Sequence, residues 1–110
     1  MTELKSKHCT ACDGDTPKLT EGEARLLLGE LEGWQLGDGK SISRAFSFAN
    51  YYETMAFVNA VAFMAHREDH HPDLAVSYNR CTIVYTTHAV GGLSENDFIC
   101  AAKVDALLAG

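Results

Sequence analysis

The sequence predicts an α+β fold of two layers: a four-stranded antiparallel sheet with three helices on one face, in the order α-β-β-α-β-β-α. Three observations predict it. Two β-rich segments each fold back over a turn too short for a parallel crossover, so each is an antiparallel hairpin. Three segments with helical apolar spacing flank and separate them. The chain has 110 residues, 46% of them apolar, which suits one core and one domain.

Residues 1–18 are polar, include Gly14 and Pro17, and read as a loosely held N-terminal arm before a single domain at 19–110. Thr20-Glu21-Gly22-Glu23 is a capping-box sequence: the Thr20 hydroxyl can accept from the N–H of Glu23 while Glu23 reaches back. Leu27, Leu28 and Leu31 follow at helical spacing and Gly33 stops the run, which predicts a helix over 20–32. Trp34 to Phe48 reads as a hairpin. Gly37-Asp38-Gly39 is its turn, and Ile42, Phe46 and Phe48 lie on the return arm in imperfect alternation. Asn50 with Glu53 marks the start of a second helix over 50–69, with Tyr51, Met55, Val58 and Ala62 as its apolar stripe. Pro72 cannot continue that helix and biases His71 away from helical geometry. Leu74, Val76 and Tyr78 alternate on the next arm. Asn79 turns the chain, and the β-branched run Cys81–Thr87 returns, carrying His88 at its end. Gly91-Gly92 breaks the chain, and Ser94-x-x-Asp97 opens the last helix, with Asp97 as the N3 partner of Ser94.

Charge and hydropathy exclude whole classes. With 9 basic and 15 acidic residues the net charge is −6, which leaves no electrostatic footprint for a phosphate backbone and argues against direct nucleic-acid binding. The most apolar stretch, Met55–Ala65, contains Asn59 and falls well short of the ~20 apolar residues of a membrane span. The N-terminus has no apolar signal-peptide core, so the expected address is cytoplasmic, with the four cysteines as thiols.

Four of the five histidines, His66, His70, His71 and His88, occur within 23 residues. His66 and His70 are four apart on the expected second helix and would share a face. His71 follows at the helix end, and His88 ends a strand that can meet the same rim. Imidazole gives and takes protons near neutral pH, so such a cluster suits paired acid–base chemistry. Helix-end capping accounts for one histidine but poorly for four. A metal chelate through His66 and His70, completed by His71 or His88, is the competing reading. It is weakened because the glutamate of the metalloprotease helix motif is not in place. His8-Cys9-x-x-Cys12 could be half a zinc site, but no second Cys-x-x-Cys follows, and Cys81 and Cys100 fall inside a strand and a helix as small apolar residues. No phosphate-binding glycine loop and no Gly-x-Ser-x-Gly elbow is present.

These residues together resemble one family, the pterin-4a-carbinolamine dehydratases (4a-hydroxytetrahydrobiopterin dehydratases) of bacterial type. The resemblance runs through His66-x-x-x-His70-His71-Pro72, Tyr78, His88, Gly91-Gly92-Leu93-Ser94 and Asp97-Phe98. Upstream it includes Gly33-Trp34 and Phe46-x-Phe48-x-Asn50-Tyr51, so it covers residues 20–106. The His8-Cys9-x-x-Cys12 start is similar to bacterial members associated with phenylalanine hydroxylase.

The resemblance implies dehydration of 4a-hydroxytetrahydrobiopterin, or a related 4a-hydroxytetrahydropterin, to quinonoid dihydropterin. That would recycle the pterin of an aromatic amino acid hydroxylase, with no metal and no cofactor. It implies His70, His71 and His88 as catalytic residues, and His66, His71, Pro72, Tyr78 and Asp97 as substrate-binding ones. It implies a homodimer or homotetramer. One departure stands out: many members carry a carboxylate at the position of His66, one turn before His70. A carboxylate there would favour a charged His70 and fix its tautomer, which a neutral histidine cannot do. Two other classes compete with the enzyme: a dimerisation or protein-interaction cofactor on the same fold, and a small metal-binding protein.

Overall fold

The computed structural model describes residues 3–10 and 16–108. Three helices, α1 (Glu21–Leu28), α2 (Tyr51–Glu68) and α3 (Glu95–Leu108), accompany four strands, β1 (Gln35–Gly37), β2 (Ser41–Ser47), β3 (Asp73–Val76) and β4 (Arg80–Tyr85). The strands form one antiparallel sheet in the order β1-β2-β4-β3. The α-β-β-α-β-β-α order and the α+β class are as the sequence predicts. No helix among the described residues is long and apolar enough to cross a membrane.

Strand pleating sets which side chains meet the helices. Register pairs Ile42 with Tyr85, Arg44 with Ile83 and Phe46 with Cys81, so these six share one face. All but Arg44 are buried there, packed with Ala24 of α1, Phe57 and Val61 of α2, and Phe98, Ile99 and Val104 of α3. Arg44 explains the imperfect alternation of this hairpin. Its guanidinium lies 4.6 Å over the Phe46 ring and donates to Asp105 of α3 at 3.0 Å. Trp34 Nε1 donates to the same carboxylate at 3.0 Å, so Asp105 ties the first hairpin to α3. The hairpin turn has Asp38 and Gly39 both at positive φ, 52° and 70°, and Lys40 N–H donates to the Gly37 carbonyl at 3.0 Å. That is the primed geometry that matches strand twist.

Two helices differ from expectation. The capping box on α1 forms in both directions, but the helix ends at Leu28 rather than at 32. Glu30 and Leu31 bond three residues back, each at 3.0 Å, so the chain tightens out of the α-helix before Gly33. On α2 the buried residues are Thr54, Phe57, Val61 and Ala65, one position away from the stripe of Tyr51, Met55, Val58 and Ala62. This helix is apolar nearly all round, so spacing alone does not single out its core face. Tyr51 instead points outward and stacks on Tyr78, with ring centroids 6.3 Å apart.

The segment expected to be a loose arm is docked between residues 3 and 10. Leu4 is buried in the core cluster, and the short turn it opens, Leu4–Ser6, packs along α3. Asn96 and Thr10 exchange two bonds, Nδ2 to carbonyl at 2.7 Å and N–H to Oδ1 at 3.2 Å.

Candidate active site

The site begins where α2 stops. Asp69 adopts the left-handed conformation, φ 52° and ψ 41°. Its N–H donates to the His66 carbonyl at 3.2 Å and the next N–H, of His70, donates to Ala65 at 3.1 Å. This pair of bonds is a Schellman motif, which satisfies the last helical carbonyls while reversing the chain. The reversal corrects one expectation: His66 stays exposed on the helix, while His70 leaves the helix and turns inward, so the two share no face. His71 stays exposed before Pro72 and the start of β3.

His70 is buried, 7% exposed, and its ring stacks on that of Tyr85 with centroids 5.5 Å apart and planes at 8°. Its Nε2 lies 2.6 Å from Oδ1 of Asp97, which is fully buried in the first turn of α3. The other Asp97 oxygen accepts the Ser94 N–H at 3.0 Å and the Thr87 hydroxyl at 2.8 Å. Asp97 therefore caps α3, as the Ser94-x-x-Asp97 pattern predicts, and with its free oxygen also holds His70. An ionised carboxylate only accepts, so with Asp97 ionised Nε2 is the donor of this pair.

His88 lies beyond β4, on the turn His88–Val90 rather than on the strand itself. Thr87 pairs with Gly92, its N–H donating to the Gly92 carbonyl at 2.7 Å. Gly91 closes the loop at φ 65°, a conformation that favours glycine. Thr86 Oγ1 anchors the same loop to the Lys40 carbonyl at 2.6 Å. The result is a cavity of about 210 Å³ whose lining includes His70, His71 and His88 with Thr86 and Thr87.

His66 and Tyr78 are not part of that lining, and Tyr78 sits at the opposite, β3–β4 turn end of the strands. Pro72 adjoins the lining residue His71, and Asp97 stands behind His70. Among the described residues no three His, Cys, Asp or Glu side chains gather as a metal set. With His66 and His70 pointing apart, the chelate suggested by their spacing does not form. A larger cavity, about 590 Å³, lies between the arm, the segment that follows α1, and α3, with Leu4, Leu31, Arg44 and Asp105 among its lining. Size favours that one, but its Arg44 and Asp105 are bound to each other, whereas the smaller cavity gathers three imidazoles suited to proton transfer.

Comparison with known proteins bears on the family and the fold. The family model described as pterin 4 alpha carbinolamine dehydratase matches residues 17–107. The chain belongs to this family. A protein of Nitrosomonas eutropha named "Putative pterin-4-alpha-carbinolamine dehydratase" is 64% identical over 109 residues, covering 98% of this chain and 96% of that protein. The crystal structure of a transcriptional coactivator/pterin dehydratase from Brucella melitensis superposes with a TM-score of 0.79 at 36% identity, covering 83% of this chain and 98% of that one. A pterin dehydratase-like protein identified as a RuBisCO assembly factor in the alpha-carboxysome matches with a TM-score of 0.60 at 27% identity, over 69% of this chain and 89% of that one. Dehydratase names and partner-binding names thus both occur on this fold.

Two features of this pterin-dehydratase-family chain lay outside the sequence reading. One is the bond from Asp97 to His70, which sets a carboxylate of α3 against that ring. The other is Glu68, next to the helix end, whose oxygens accept the Cys9 N–H at 2.7 Å and bond the His8 ring at 3.0 Å. The His8-Cys9-x-x-Cys12 motif is therefore part of the docked arm as far as Cys9; Cys12 lies outside the described residues. Pairs 59 or more residues apart leave no local pattern from which to find them.

Proposed function

We propose that this chain dehydrates 4a-hydroxytetrahydrobiopterin, or a related 4a-hydroxytetrahydropterin, to quinonoid dihydropterin and water by histidine acid–base catalysis. Family membership supports the substrate class. The observation that carries the mechanism is the lining of one cavity by three imidazoles, one of them held by a buried carboxylate. The reaction takes a proton from ring N5 and gives one to the departing 4a-hydroxyl. His70 receives the N5 proton, its ring held in place by the Asp97 carboxylate. His88 protonates the leaving hydroxyl, and His71 binds the pterin and shares in the transfer. Imidazoles suffice for both steps. The physiological role that follows is recycling the pterin of an aromatic amino acid hydroxylase, with phenylalanine hydroxylase as the client suggested by the arm motif, in the cytoplasm.

The test is a stopped-flow assay of 4a-hydroxytetrahydropterin dehydration with chelator present. Wild type should accelerate the reaction, and His71→Ala and His88→Ala, both exposed positions, should each lower kcat by roughly 10²-fold. No acceleration above the spontaneous rate, or full activity in both variants, would sink the reading.

A second reading has its own support. Leu74, Val76 and Tyr78 on and beside edge strand β3 are 37%, 42% and 64% exposed, next to Tyr51 at 50%. An apolar edge of this kind fits self-association into a homodimer or homotetramer, or a protein partner. Double replacement of His70 and His71 should abolish dehydration and leave that association intact.

A further inference from the structure

Cys9 and Cys100 are 91 residues apart in sequence, yet their sulfurs lie 3.3 Å apart. The placement is held by several bonds. Glu68 accepts the Cys9 N–H, Asn96 grips Thr10 on both sides of its peptide, and Lys7 reaches Glu95 at 3.2 Å. Cys100 is fully buried on α3, whereas Cys9 is partly exposed on the arm. Neither thiol has a role in the proposed proton transfers.

We propose that Cys9 and Cys100 form an oxidisable dithiol, which a peroxide converts to a disulfide that fastens the arm to α3. Cys9, the accessible sulfur, reacts first. Its thiolate displaces on the peroxide O–O bond, giving the sulfenic acid and one water. The Cys100 thiol then attacks the Cys9 sulfur, forming the S–S bond and releasing the second water. Two thiols lose two protons and two electrons, and hydrogen peroxide accepts them. The remaining approach, from 3.3 Å to a bond of about 2.05 Å, falls to Cys9, which sits in irregular arm backbone and not on a helix. The hydrogen bond to Cys100, burial and the Glu68 carboxylate push the Cys9 thiol up. A thiol raised in this way holds little thiolate, so the cross-link forms slowly and needs prolonged exposure to peroxide.

The experiment uses the full reduced chain and hydrogen peroxide, followed by thiol alkylation and peptide mass mapping without reductant. The expected product is one cross-linked peptide joining Cys9 to Cys100, with a melting temperature above that of the reduced chain and restored by dithiothreitol. Cys12→Ser should leave the cross-link and the shift intact, and Cys9→Ser should remove both. A Cys9–Cys12 linkage, loss of the cross-link in Cys12→Ser, or recovery of Cys9 and Cys100 both alkylated after prolonged exposure would overturn the proposal. Because the readout is a covalent mass, it stands or falls independently of dehydratase activity.

Discussion

His70 Nε2 and Asp97 Oδ1 are 2.6 Å apart, and both side chains are almost wholly out of solvent. A carboxylate in this position orients the ring and fixes its tautomer. Asp97→Asn keeps the shape but removes the charge, and sets an amide among groups that were all donating to a carboxylate. We expect kcat to fall by roughly 10²-fold, within the range general acid–base catalysis contributes, with a smaller change in KM. Steady-state kinetics with a melting curve for each protein checks this; equal losses in kcat and in folded fraction would assign Asp97 to folding alone.

Thr87 acts one step further out. Its hydroxyl is buried, donates to Asp97 Oδ2 at 2.8 Å, and lies 2.8 Å from the Ser94 hydroxyl. Thr87→Val keeps the shape but removes one of the two donors to Asp97 Oδ2 and leaves the buried Ser94 hydroxyl without its acceptor, at a cost of about 1–3 kcal/mol. With Asp97 less firmly held, kcat should fall about tenfold while KM stays near wild type. Thr87→Ser, which restores the hydroxyl, should recover most of the rate. Failure of serine to rescue would mean that the methyl packing, not the bond, is what matters.

The fold was legible because its signals are local. The Thr20 capping box, the Gly37-Asp38-Gly39 turn, the Asn50 cap and the β-branched run of β4 each announce an element from within a few residues. The site was legible only in part. His70, His71 and His88 could be grouped because they cluster in sequence. The relation of His66 to His70 was misjudged because it depends on one left-handed residue, Asp69, which no glycine marks. The partner of His70 lies 27 residues away, and the anchors of the arm lie on α2 and α3. Contacts of that kind arise from packing, which periodicity does not encode. The same limit explains the α2 stripe: where apolar residues surround a helix, only its neighbours decide which face is the core.

Tyr85 offers a test of what stacks against His70. Its hydroxyl is buried and, among the described residues, has no oxygen or nitrogen hydrogen-bond partner; burial first, and then the Cys100 thiol beside it, push its pKa up. It is therefore a packing ring and not a proton carrier. Tyr85→Phe keeps the stack and removes an uncompensated polar group, whose burial costs roughly 1–3 kcal/mol. The variant should melt at or above the wild-type temperature, with kcat/KM within about twofold. A large loss of rate in a well-folded Tyr85→Phe protein would give the hydroxyl a catalytic part.

Docking of the arm should depend on pH through Glu68. Burial pushes this carboxyl up, but the Cys9 N–H, His8 and Lys103 outweigh burial and hold it below its ordinary value of 4.5. A carboxyl depressed in the folded state stabilises above its unfolded value, and that contribution is lost as pH falls through the folded one. Arm docking should therefore be complete above pH 4.5 and weaken below it. Asp105 runs the other way: burial raises it above 3.8 despite Trp34 and Arg44. Its contribution is complete below that value and declines as pH rises through the raised one. The two are separated by amide protection at Cys9, which reports the arm. Glu68→Gln should lower that protection at neutral pH and flatten its acid dependence, while Asp105→Asn should leave it unchanged.

The turn that aims His70 rests on Asp69 in the left-handed region at φ 52°. That conformation costs an L-residue roughly 1–2 kcal/mol, less for aspartate than for most, and nothing for glycine. Asp69→Gly should therefore keep the Schellman bonds and the position of His70, leaving kcat near wild type and stability equal or slightly higher. Asp69→Val puts a β-branched residue where it fits worst. The helix end should then unwind to relieve the strain, pulling His70 off Asp97 and lowering kcat by at least about tenfold, since small misplacement of a catalytic group is costly. Paired kinetics and thermal melts on the two variants decide the matter: equal activity in glycine and valine would show that this residue's conformation does not set the geometry of the site.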